Sequence, residues 1–236
     1  MGAERILDPG LIVQTVERLA ARVHERFPQS GLASVAADLA QTAKVTVRRV
    51  ERLARPSLLL RGLALLVVVI GLAAQVYVAR LVDWEDVLKR ADPVGIAQGL
   101  DSIVNLSLLA FGAIWFMLTL EQRLKRRKAR VRLYELRSFA HVIDMHQLTK
   151  DPMVVLSQSE PTPSSPERRM TRFELSRYLD YCTEMLALIA KLAALYAGPS
   201  RDGEVIAAVG EVEELTSDLG RKIWQKIMIL SERDGG

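Results

Sequence analysis

His141, Asp144 and His146, followed by Asp151, are the residues whose types and spacing come closest to chemistry in this chain. Imidazoles and carboxylates ligate divalent metals, and histidine exchanges protons near neutral pH. Helix geometry limits what they can do together. At about 100° per residue, His141 and Asp144 share a face roughly 60° apart, whereas His146 lies about 140° from His141. An ideal helix cannot offer both imidazoles to one ion. A metal site here therefore needs ligands from another helix, such as Asp180 or Glu184, or from a second subunit. His146 falls in register with Phe139 and Ile143, the position of a packing residue with a hydrogen bond. No cofactor is expected beyond this candidate ion.

A second polar group is Tyr178, Asp180, Tyr181, Cys182 and Glu184. Cys182 is the single cysteine, which excludes an intramolecular disulfide and a cysteine-rich metal centre. A nucleophile pair with His141 or His146 is conceivable chemistry. Cys182 sits on an apolar helical stripe, however, where a thiol packs as a small apolar side chain. The chain has no glycine-rich phosphate loop, no HExxH, no nucleophile elbow and no dinucleotide fingerprint. A non-enzymatic protein is the expectation.

The elements that must position these residues are dominated by two apolar runs. Leu58 to Val78 carries one charge, Arg61, close enough to its end to snorkel. Ile103 to Leu120 carries none, and Val94 to Gly99 can extend it upstream. About 20 apolar residues cross a bilayer as a helix, so both runs are expected to be transmembrane. Gln75, Asn105 and Ser107 are the polar residues inside them. With only two spans they have few partners in lipid, which points to self-association.

Basic residues flank both runs. Lys44, Arg48, Arg49, Arg52 and Arg55 precede the first, and Arg123, Lys125, Arg126, Arg127, Lys128, Arg130 and Arg132 follow the second. The connection between the runs is acidic, with Asp83, Glu85, Asp86, Asp92 and Asp101 against Arg80, Lys89 and Arg90. Lysine and arginine mark the cytoplasmic side, so both termini are expected in the cytoplasm of a bacterial plasma membrane. The net charge of +4 resembles that of a nucleic-acid binder, but no aromatic platform or zinc finger accompanies the basic run. Arg48, Arg49, Arg52, Arg55, Arg123, Lys125, Arg126, Arg127, Lys128 and Arg130 are expected instead to meet anionic headgroups. No cleavable signal peptide is visible near Met1.

The remainder reads as helix, so the fold class is all-α. Residues 1–56 form a cytosolic hairpin, with Asp8 capping its first helix and Pro9 in the first turn. Its stripes are Ile12, Val16, Leu19, Val23 and Phe27, then Leu32, Val35, Leu39, Ala43, Val47 and Val50. A hairpin of this kind needs a partner surface. Residues 57–79 are the first membrane helix, 80–93 a short outer loop with Trp84, and 94–122 the second membrane helix. Nothing stops that helix before Thr149, so 123–151 continue it as a basic stalk, giving about 80 Å of helix. Residues 152–168 are a Ser/Pro-rich linker, in which Thr162, Ser164 and Ser165 are candidate phosphate acceptors. Residues 169–236 form a cytosolic hairpin, broken at Gly198-Pro199, that packs on the stalk as a helical bundle.

The function these features suggest is a membrane scaffold or signalling protein that self-associates and presents a helical platform to a cytosolic partner protein. The alternative is a homo-oligomeric channel. There the second span lines the pore, Asn105 and Ser107 face the lumen, and Arg123, Arg126 and Arg127 favour anions at the mouth. A third reading is a metal-dependent site at His141 and Asp144.

Overall fold

A computed structural model describes residues 7–81, 93–153, 170–200 and 202–231. These residues are predominantly helical, with no strand among them. The helices are α1 (Pro9–Arg26), α2 (Gly31–Ala54), α3 (Leu58–Leu81), α4 (Pro93–Leu148), α5 (Arg172–Ala194) and α6 (Gly203–Ser231). Trp84, residues 154–168 of the expected 152–168 linker, and the candidate phosphate acceptors lie outside the described residues.

Local chemistry explains where the helices begin. Asp8 caps α1, its Oδ1 accepting from Gly10 N at 2.7 Å and Leu11 N at 3.2 Å, with Pro9 at the first position. Ser30 Oγ accepts from Ala33 N at the start of α2. Thr171 and Glu174 form a reciprocal capping box on α5: Glu174 N donates to Thr171 Oγ1, and Thr171 N donates to Glu174 Oε2. Asp202 Oδ1 accepts from Glu204 N and Val205 N at the start of α6. Each such cap satisfies backbone donors that the helix itself leaves unpaired.

The chain divides into two compact units. The core unit comprises 1–54 and 126–236, and the apolar unit comprises 55–125. In the core unit, α1 packs on α2 and α5 on α6, and both α1 and α2 reach α5. The N-terminal hairpin thus finds its partner surface in α5 and shares one apolar core with the C-terminal hairpin. Leu19 and Val23 of α1, Leu39 of α2, Leu136 and Ile143 of α4, Leu186 and Ile189 of α5 and Ile223 of α6 are fully buried in it. Each such side chain contributes about 1.5–3 kcal/mol by leaving water.

In the apolar unit, α3 lies antiparallel to the first part of α4. Gln75 Nε2 donates to Ser107 Oγ at 3.3 Å, while Ser57 N at the other end donates to Glu121 Oε1 at 3.0 Å. Two helical stretches, within 31–77 and 99–148, are long and apolar enough to cross a membrane. None of their apolar windows is buried within the chain, whereas the core helix of a soluble protein would be. Leu59 is 80% exposed and Leu109 71%.

Candidate functional site

Within the apolar unit Gln75, Asn105 and Ser107 have partners in the same copy. The antiparallel register brings Gln75 to Ser107, and Asn105 Nδ2 donates to Asp101 Oδ2 one turn earlier at 3.2 Å. These groups thus do not need a second subunit to find a hydrogen-bond partner. Spacing along one helix does not reveal which residue of a neighbouring helix comes level with it. Ser107, placed toward a lumen in the channel reading, accepts through its Oγ from Gln75 of α3.

At the other end of this unit is a clasp that sequence reasoning missed. The Glu121 carboxylate is buried and accepts from Ser57 N, while Lys125 Nζ lies 3.0 Å and Arg61 Nε 3.7 Å away. Lys125 Nζ also donates to Arg55 O at 2.9 Å. One carboxylate thus joins the start of α3 to α4. The signal was present: Glu121 is a lone acid ahead of a basic run, one turn before Lys125.

The ten basic residues assigned to the membrane surface divide into two sets. Arg48, Arg52, Arg55, Arg123, Arg127 and Lys128 are exposed, and their side chains form no ion pair among the described residues. The others turn to acidic groups. Arg49 reaches Glu135 at 3.4 Å, Lys125 joins the clasp, Arg126 pairs with Asp202 at 2.7 Å and with Glu204, and Arg130 reaches Glu204 at 3.4 Å. An open groove of about 220 Å³ between α4 and α6 is edged by Arg130–Glu204 and Arg137–Glu211. These pairs neutralise its rim and leave little net charge to attract an ion.

The histidine cluster does not converge. Among the described residues, no three His, Cys, Asp or Glu side chains come together as ligands. His141 is exposed, and Asp144 Oδ1 accepts from Gln147 Nε2 at 2.7 Å. His146 is half-buried against the first turn of α2, where a Cβ built on Gly31 would lie 2.3 Å from His146 Cε1. Glycine is the residue that admits the ring. Asp180 and Glu184, the proposed outside ligands, pair with Arg177 at 3.2 Å and Arg22 at 2.6 Å. Asp151 Oδ1 accepts from Met153 N.

What the structure builds near Asp144 is a tie between helices. Lys226 Nζ of α6 donates to Gln147 O at 3.1 Å and to Gln147 Oε1 at 2.6 Å, and Gln147 in turn donates to Asp144. Gln147 is buried on the stripe of Ala129, Leu133, Leu136, Ala140 and Ile143. Burial pulls the Lys226 ammonium below its ordinary value, with Asp151 and Asp144 opposing. A glutamine continuing an apolar stripe was the available signal.

Cys182 is fully buried, and burial pushes its thiol up to about 12. It is protonated near neutrality and is no nucleophile there. Burial also raises the neighbouring Tyr178. The aromatic residues of this knot stitch α5 to α1. Phe27 meets Tyr178 edge-on at 5.5 Å and Tyr181 at 6.3 Å, and Arg22 and Arg177 both lie over the Tyr181 ring.

Comparison with protein-family models, curated proteins and solved structures returned no match for this chain.

Proposed function

We propose that this chain is an integral membrane scaffold or signalling protein of a bacterial plasma membrane. It self-associates and presents its helical core unit to cytosolic partner proteins. Helices α3 and α4 serve as the two spans, and both termini lie in the cytoplasm. The observation that carries this reading is the contrast between the two units. The apolar windows of α3 and α4 are unburied and call for lipid, while the polar knots of the core unit are consumed in ties between helices.

The charge pattern supports the orientation. Arg48, Arg52, Arg55, Arg123, Arg127 and Lys128, adjacent in sequence to the apolar runs, are exposed and form no ion pair among the described residues, which suits them to anionic headgroups at about 1 kcal/mol each. The test is the particle mass of the full chain in nanodiscs, by light scattering. A discrete homo-oligomer is expected. A monomer at every concentration would reject the self-associating reading.

A further inference from the structure

Helix α4 carries a second heptad stripe. Val131, Tyr134, Ser138, His141, Met145 and Leu148 recur at alternating intervals of three and four residues, the spacing of a coiled-coil seam. At about 100° per residue this stripe lies roughly opposite the buried stripe centred on Leu136 and Ala140. The structure leaves it uncovered: Val131 is 53% exposed, Tyr134 55%, Met145 69% and Leu148 62%.

We infer that this seam pairs with the same seam of a second copy, in parallel and in register. The inference rests on the self-associating membrane reading and names the surface through which association occurs. Two observations select a second copy as the occupant.

The first is register. The seam and the apolar window belong to one helix, α4, so two copies anchored in one membrane present equal residues at equal depth. The second is area. These exposed side chains with the flanking Val142 offer about 500 Å² per copy, so a pair buries at most roughly 1,000 Å², the floor for a specific interface. Confinement of both copies to one bilayer raises their effective concentration further. Ser138, the hydroxyl within the seam, is already satisfied by its own helix, donating to Tyr134 O at 2.9 Å. Its burial therefore leaves no orphan donor.

The test is cysteine cross-linking of the full chain in native membranes. Cys182 is fully buried and serves as the silent background. Val131→Cys and Met145→Cys should each give disulfide-linked dimers in high yield under mild oxidation. Glu213→Cys, exposed on α6, should give few. The variants M145E and V131D should lower the particle mass in nanodiscs while leaving helical content unchanged by circular dichroism. An oligomer that forms without seam cross-links, or survives both charged substitutions, overturns the seam and leaves self-association standing. A wild-type monomer overturns both. A mixed particle in which a different protein protects the seam cysteines also overturns the pairing.

Discussion

Replacing Gly31 with alanine puts a methyl carbon 2.3 Å from His146 Cε1 and 3.1 Å from both ring nitrogens. One partner must move. Overpacking of this kind costs about 1–3 kcal/mol. The atom struck is the far tip of a half-buried side chain, which can swing outward, so the cost falls near 1 kcal/mol. For a protein of this size that corresponds to a midpoint lowered by about 2–4 °C. The same substitution in a His146→Ala background meets no ring. There alanine only restricts the unfolded chain and favours helix, a gain of about 0.5 kcal/mol. Gly31→Ala should therefore destabilise the wild type and mildly stabilise the His146→Ala protein, a coupling of roughly 1.5 kcal/mol. Thermal unfolding of the four proteins in one detergent, followed by circular dichroism, reads the cycle. An equal effect of Gly31→Ala in both backgrounds would refute the contact between α4 and the first turn of α2.

Glu121→Ala should strand Ser57 N and leave Lys125 and Arg61 without their acid. A loss of about 1–3 kcal/mol is expected, with Glu121→Gln milder because an amide oxygen still accepts from Ser57 N; equal midpoints for both variants and wild type would remove the clasp. Cys182 should resist iodoacetamide at pH 8 in the folded protein and react fully in denaturant, since its thiol is buried and pushed up to about 12; rapid labelling of folded protein would contradict the packing of α5. The Thr171 hydrogen bonds hold the Glu174 carboxyl below its ordinary 4.5. Its stabilisation is thus present above pH 4.5 and is lost as pH falls through the lower folded value. Glu174→Gln should flatten that part of the acid dependence of the melting midpoint, and an unchanged acid limb would show that the capping box does not form.

The stripes on α1, α2, α5 and α6 were legible because each buries one face at helical period, and that period is written in consecutive residues such as Ile12, Val16, Leu19 and Val23. The caps at Asp8 and Pro9, and the uninterrupted run of α4, were legible for the same local reason. Long-range pairing was not. That α1 docks on α5, or that Gln75 meets Ser107, depends on which faces meet across more than 30 residues of chain, and no single helix encodes its neighbour's register. The histidine cluster looked chemical because residues close in sequence look close in space. On a helix His141 points to solvent and His146 to α2, and Asp144 belongs to the Gln147–Lys226 tie. The division of arginines was equally hidden. Arg126 and Arg127 read alike in sequence, yet one pairs with Asp202 and Glu204 while the other stays exposed.

We propose that α3 and α4 each cross a membrane once and leave the core unit in the cytoplasm. The measurement that tests it most directly is a set of fusions with alkaline phosphatase, which is active only outside the cytoplasm, at each terminus and within 82–92. With this topology neither terminus gives phosphatase activity and the 82–92 insertion gives strong activity. Activity at a terminus, or none within 82–92, would contradict it.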